Sequence, residues 1–554
     1  MRNQKRFARC KLLPFAVVVG LVAAGCSRQT DATSPPPVRT AIRAQTERET
    51  STAAKASASP AKISAQGHPK ETWDAIYLGG VKVGYCRTQT SDFVEDETKG
   101  VRVDSTNSVT VNRAGQRSKL SIVSTSIETP TGELVRFQTR LDSGTTPTDF
   151  TGQVEGNELV VETVTAGKAT TARSAWPAAA GGVLAMEQSL LRQPMRPGER
   201  RKLTGLMAVL NQPVAMELVA DKYESTRLLQ HSEDLLRIEC RALLPDGQPI
   251  VERLWANRDG VILRRQIDAL AQETYRTTQE IALAALGQAK FDLMLDTTVP
   301  ADRPLENPHA TRRIRYRLHL KTNDPAQIFA NGQRQEVIPL DTRTAEVIVS
   351  AVRPQAPGTS GQAVAPATST AAGGPPSSIP PKTSPPTDDD RAPNNLIQSD
   401  NPKIVTMAQS IAPDEADGWQ VARRLAEAVK RHIRRPNYSQ AFASAADVVE
   451  HAEGDCTEHA VLLAALCRAR DIPARVAIGL VYVSAAQGFG YHMWNEVWID
   501  GGWVGLDATL DRPAIGAAHL KLAHSSLQGT TAFSTFLSLA QVIGQLKIEI
   551  LEVE

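Results

Sequence analysis

The chain has 554 residues, 41% of them hydrophobic, enough length and apolar content for two or three domains with buried cores. Its 62 Lys and Arg stand against 60 Asp and Glu, leaving a net charge of +2, and only 5% of residues are aromatic. Neither the charge balance nor the supply of stacking rings calls for nucleic acid as a partner.

Arg2, Lys5, Arg6, Arg9 and Lys11 form a basic start, followed by a short apolar run from Leu12 to Val22. That run is too short to span a bilayer comfortably and has the pattern of an export signal. It ends in Ala23-Ala24-Gly25-Cys26, which resembles the lipobox of bacterial lipoproteins, with Ala23 where leucine is more usual. The resemblance implies cleavage before Cys26 and a lipid anchor on its thiol. Residues 1–26 are therefore expected to be a lipoprotein-type signal peptide, and the mature protein to be membrane-anchored on the periplasmic side, at the inner or the outer membrane. An ordinary secretory signal cut nearby is the alternative. Residues 27–70, rich in Ser, Thr, Ala, Gln and Pro, bury too little apolar surface to order themselves and read as a disordered tether.

From 71 to 353 the signals are mostly those of strands, in one or two units that suit a scaffold or a partner-binding region. Ala75–Leu78 and Val81–Tyr85 flank Gly79-Gly80 as a tight hairpin. Turns at Pro245-Asp246-Gly247 and Arg258-Asp259-Gly260 divide a meander of three strands, Arg237–Leu244, Ile250–Ala256 and Val261–Ile267. A helix is expected near Ala185–Arg192, and late strands at Ile314–His319 and Glu346–Val352. Cys86 and Cys240 are either bridged or two small buried thiols. Residues 354–398, with paired prolines and an Asp388-Asp389-Asp390 run, read as a second disordered linker, which would leave 399–554 to fold alone.

The chemistry lies in that last segment. After an amphipathic helix over Trp419–Ile433, Asp455 is placed to cap a helix whose first turn holds Cys456. Unsatisfied N–H groups and the positive end of the helix dipole there favour a thiolate and offer donors to an oxyanion. Ala474–Val483 reads as a strand, and a hairpin turning at Asp500-Gly501-Gly502 carries His492 on one arm and Asp507 on the other. A two-residue turn at Asp500-Gly501 sets Asp507 opposite Trp494, diagonal to His492 and on the same face; a turn at Gly501-Gly502 keeps that parity. The roles that follow are Cys456 as nucleophile, His492 as its base and Asp507 as the group orienting the imidazole. Tyr438 is the candidate for a second oxyanion donor, Cys467 for core packing, and Trp494, Trp498 and Trp503 for core or pocket wall. His459 makes only a Cys-x-x-His with Cys456, without the four-ligand spacing of a zinc site. No calcium-loop pattern occurs, so no cofactor or metal is implied.

Gly454-Asp455-Cys456 with Glu458 and His459, the run Arg468–Arg475, the run Tyr491–Trp498 and Trp503–Thr509 together resemble the transglutaminase-like core of the papain-type thiol enzymes. The resemblance implies an α+β domain, with the cysteine at a helix start packed on an antiparallel sheet; it says nothing about the β-rich N-terminal region before residue 354, which rests on the strand signals alone. It also implies acyl transfer from amide bonds of a protein or peptide substrate, the acceptor being water in a peptidase or amidase and an amine in a transamidase. A catalytically inactive envelope scaffold is the rival reading. Lipidation is directly testable: wild type should incorporate labelled fatty acid and partition with membranes, and Cys26→Ser should lose both. A Cys26→Ser protein that still carries label would exclude that anchor.

Overall fold

The computed structural model describes residues 71–95, 98–207, 210–243, 249–267, 271–284, 292–352, 384–440, 442–510, 513–529 and 537–554. The expected signal peptide with Cys26, the tether 27–70 and the turn at Pro245-Asp246-Gly247 lie outside these residues.

Residues Glu71 to Thr277 form fourteen antiparallel strands of one sheet, built as two meanders joined at their inner edges. One meander runs outward from Glu71–Leu78 to Lys168–Ala175, and the other from Gln272–Thr277 back to Arg200–Met207. The first and last strands in sequence close the join, with Ala75 opposite Tyr275. The hairpin at Gly79-Gly80 forms, pairing Leu78 with Val81, and so does the three-strand meander of Ser232–Leu243, Pro249–Ala256 and Ile262–Ile267. Burial alternates along such strands, as in Leu134–Asp142, where Leu134, Phe137, Thr139 and Leu141 turn inward. The helix Ala185–Arg192 covers one end of the sheet with Met186 and Leu190. Cys86 and Cys240 are free rather than bridged, and burial pushes the Cys86 thiol up to about 11, so both are held as neutral thiols.

The helices gather in the C-terminal part. The helix Cys456–Arg468 is buried on nearly every side and packs on an antiparallel sheet containing Ala474–Val483, Gly488–Ile499 and His519–Ser525, with Gly502–Leu506 paired to the second of these. Every residue of Ala474–Val483 is buried, which explains its continuous rather than alternating apolar pattern. No helix among the described residues is long and apolar enough to cross a membrane.

Two findings change the division of the chain drawn from composition. The late strands Arg313–Leu320 and Thr344–Ser350 do form, but in a four-stranded sheet with Gln335–Asp341 and the last strand, Leu546–Val553. Val299–Pro300 likewise pairs with Gly488 and Phe489. The described end of the supposed linker, 384–398, is ordered. Asp390 caps a turn at Asp388–Asp390, and Leu396 and Ile397 are buried. Arg468 donates to Ala392 O at 2.7 Å, and Asn394 Nδ2 to Ser526 O at 2.8 Å. Composition misjudged this stretch because two apolar side chains and a few directed hydrogen bonds suffice to pin a short segment against a formed core.

A fragment of residues 398–554 should consequently fail to fold alone, since its final strand lacks Arg313–Leu320. Circular dichroism should show no cooperative thermal transition for it, whereas the chain from residue 71 should melt as one unit. A sharply melting fragment would contradict this.

Candidate active site

The helix that begins at Cys456 starts where the sequence places it. Asp455 Oδ1 accepts from the Thr457 N–H at 2.9 Å, and Glu458 Oε2 accepts from the Asp455 N–H at 2.8 Å, completing a reciprocal cap. Glu458 folds back so closely that a Cβ at position 454 would sit 2.3 Å from its own, so this cap requires Gly454. Glu458 is fully buried; burial and the neighbouring Asp455 charge hold its carboxyl well above the usual range. Its other oxygen accepts from the Ala443 N–H at 3.1 Å.

The hairpin takes the register of the Asp500-Gly501 turn, with both residues at positive φ (49° and 80°) and Ile499 opposite Gly502. Asp507 follows directly after the strand that ends at Leu506. His492 Nε2 donates to Asp507 Oδ2 at 2.7 Å. Three residues along the same strand, Asn495 Nδ2 donates to Ala460 O at 2.8 Å, locking the histidine-bearing strand to the helix that carries Cys456. Cys456, His459, His492 and Tyr438 line one cleft of about 390 Å³, large enough for a peptide side chain and its amide.

Asp507 is 1% exposed, and each of its oxygens is doubly satisfied. Oδ1 accepts from the Thr509 N–H at 2.9 Å and its hydroxyl at 2.6 Å, while Oδ2 takes His492 and, at 3.2 Å, His519 Nε2. Burial alone would raise this carboxyl, but the His492 charge and the two imidazole hydrogen bonds outweigh it and hold the group well below its usual range. An ionised Asp507 makes both imidazoles donors at Nε2, leaving Nδ1 as the second nitrogen of His492.

His519 is the residue that local sequence reading missed. It reaches the site through pairing across the sheet: Val481 lies opposite His519, and Gly479 lies between His492 and Lys521. A Cβ at Gly479 would meet Leu520 O at 2.0 Å, so this close approach needs glycine. Burial depresses His519 to about 3 despite Asp507, which keeps it a neutral donor. The other singled-out residues have quieter places. His459 Nδ1 donates to Asp455 O at 2.6 Å. Cys467 is a core thiol pushed up to about 12 by burial. Trp494 stacks near His492, with ring centres 6.2 Å apart. Donor atoms of His492, Asp507 and His519 lie within 4.8 Å of one another, but the two hydrogen bonds to Asp507 Oδ2 already account for that closeness.

Residues 405–508 match the Transglutaminase-like superfamily. The segment is a transglutaminase-like domain. No curated protein matches the chain. Among solved structures, it is similar to a candidate cysteine protease from Cytophaga hutchinsonii, at 15% identity over 44% of this chain and 89% of that one, TM-score 0.26. It is also similar to a β-barrel-like protein of a domain of unknown function from Brucella abortus, at 13% identity over 37% and 94%, TM-score 0.28. A third, a candidate protease from Parabacteroides distasonis, shows 10% identity over 67% and 68%, TM-score 0.17. At these scores the structural likenesses decide nothing about activity, and the transglutaminase-like domain is read through its own geometry.

His519 also marks the acid limit of this domain. Its folded value of about 3 lies below the roughly 6.5 of an exposed histidine, so between those pH values the unfolded chain holds more protons. Stability therefore falls as pH drops through that window. His519→Gln, which keeps a donor for Asp507, should reduce the slope of unfolding free energy against pH by up to one proton, about 1.4 kcal/mol per pH unit. Urea unfolding at a series of pH values measures it, and an unchanged slope would show that His519 is not neutral in the folded state.

Proposed function

We propose that the protein is a thiol-dependent acyl-transfer enzyme that opens amide bonds of proteins or peptides in the cell envelope, with Cys456 as nucleophile. The observation that carries this reading is the His492–Asp507 hydrogen bond of 2.7 Å at a cleft that Cys456 also lines. The transglutaminase-like match over 405–508 supports it, and the export-type N-terminus with Cys26 supports the compartment.

In this mechanism the Cys456 Sγ proton passes to His492 Nδ1, the nitrogen not engaged by Asp507. Sγ then attacks the amide carbonyl carbon, and the carbonyl π electrons move to oxygen. N–H groups of the helix's first turn, with Tyr438 at the cleft wall, are the candidate donors to that oxyanion. Collapse of the intermediate breaks the C–N bond, the imidazolium delivers its proton to the leaving nitrogen, and a thioester remains on Cys456. Water or an amine gives a proton to His492 and attacks the thioester carbonyl; the C–S bond breaks, the acyl product leaves as an acid or a new amide, and the imidazolium returns the proton to Sγ. Asp507 stays ionised throughout, stabilising the imidazolium and fixing its tautomer.

Cys456→Ala should abolish turnover. Asp507→Asn should leave the fold in place while lowering turnover on a small amide or ester by roughly 10²–10⁴-fold, because the side-chain amide no longer dictates the imidazole tautomer. Steady-state kinetics on purified variants checks both, and wild-type turnover by Asp507→Asn would remove Asp507 from the machinery.

A further inference from the structure

The strongest unexplained feature of the molecule is a guanidinium from the N-terminal sheet buried inside the transglutaminase-like domain. Arg113 ends the strand Thr98–Arg113, and neither its side chain nor that of Asp455 has any exposed surface. Its Nη2 donates to Asp455 Oδ2 at 2.5 Å. Its Nη1 donates to Tyr438 O at 2.9 Å and Gln440 O at 2.6 Å. Three acceptors more than 300 residues downstream are thus gathered by one planar fork.

The same hairpin tip holds the neighbouring chain. Gln116 Oε1 accepts from the Tyr438 N–H at 2.8 Å, and Gln116 Nε2 donates to Pro436 O at 3.3 Å. Asp292 anchors the tip itself, accepting from the Gly115 N–H at 2.9 Å. A second loop of the sheet repeats the arrangement, with Thr145 donating to Gln440 Oε1 at 3.1 Å and Thr146 Oγ1 accepting from the Ser444 N–H at 3.2 Å. Pro436, Tyr438, Gln440 and Ser444 are thus each held by hydrogen bonds from the N-terminal sheet, and Pro436 and Tyr438 form a wall of the cleft beside Cys456.

We infer that Arg113 is a positioning residue of the acyl-transfer site, and that the N-terminal sheet completes that site rather than serving as a separate module. The inference rests on the reading of Cys456 as nucleophile. Two effects are combined in one side chain. Asp455 caps the helix through Oδ1, yet its negative charge stands beside Cys456 and opposes the thiolate; Arg113 offsets that charge at Oδ2. The fork also sets the Tyr438 and Gln440 carbonyls, and with them the cleft wall that meets substrate.

Three full-chain variants separate these effects, each followed by kcat, KM and the pH onset of Cys456 alkylation. Arg113→Met should lower kcat by at least roughly tenfold and move the alkylation onset upward by about one pH unit, the size expected when a close opposite charge is lost. Because that variant leaves a buried carboxylate unpaired, Arg113→Met with Asp455→Asn supplies a fold-compatible partner, asparagine capping as well as aspartate. The double variant should refold and keep the kcat defect, because the cleft wall is still unheld. Arg113→Lys keeps the charge without the fork, so its alkylation onset should stay while kcat/KM drops several-fold. If the double and Lys variants both show wild-type kcat, KM and onset, Arg113 is a structural prop and the inference fails. Should neither Met variant fold, wild-type kcat/KM in Arg113→Lys is enough to overturn it. A wild-type Cys456 that alkylates no earlier than a free thiol would instead sink the acyl-transfer reading itself.

Discussion

Burying a charge without a counterpart costs several kcal/mol, and two buried carboxylates, Asp455 and Asp507, stand at the candidate site. Both are met by a complete set of donors. Asp507 takes four hydrogen bonds, two from Thr509 and one from each of two histidines. Asp455 spends one oxygen on Thr457 and the other on Arg113. The surrounding architecture follows from satisfying these two groups. The Asp500-Gly501 turn sets the register that brings His492 within reach of Asp507, the glycine at 479 admits the strand that carries His519, and the N-terminal sheet delivers the guanidinium for Asp455.

The two parts of the chain also share one apolar core. Buried apolar residues form a continuous cluster from Ile76 to Ile550, and the last strand of the chain pairs with Arg313–Leu320 rather than with its sequence neighbours. Such pairing across more than 200 residues is slow to form, because loop closure is costly before contact is made. At the cleft itself the N-terminal sheet is tied in through Arg113 and Gln116, so opening around Tyr438 and Asp455 breaks those bonds as well.

The legible part of the site was the part written within single elements. Gly-Asp-Cys ahead of an apolar run is a cap followed by a helix, and a hairpin's parity is decided by its turn; both are short-range facts. The β character of 71–353 was legible for the same reason, through Gly-Gly and Asp-Gly turns between alternating residues. What could not be read was partner choice. Nothing around His519 announces that it lies opposite Val481, and Arg113 stands in an unremarkable strand-turn context, Val111-Asn112-Arg113-Ala114-Gly115. The 384–398 stretch failed differently: composition averages over fifteen residues, whereas its order depends on Leu396, Ile397 and the Asn394 turn.

The balance of energies bears on why an ion pair occupies the junction at all. A buried Arg–Asp pair is at best near break-even against well-packed apolar residues of similar volume, because desolvating both ions offsets their attraction. Here the account is poorer still, since Arg113 Nε has no hydrogen-bond partner among the described residues. Stability alone would favour an apolar contact between the hairpin tip and the helix start. A helix terminus, however, supplies only about half a positive charge to a thiolate in its first turn, and a full negative charge on the cap would cancel it. Pairing the cap with a guanidinium restores the positive field while leaving the capping oxygen free to hold the helix. On the proposed reading of Cys456 as nucleophile, the arrangement gives up little or no stability for an environment that suits an anion, and the N-terminal sheet supplies the guanidinium on which it depends.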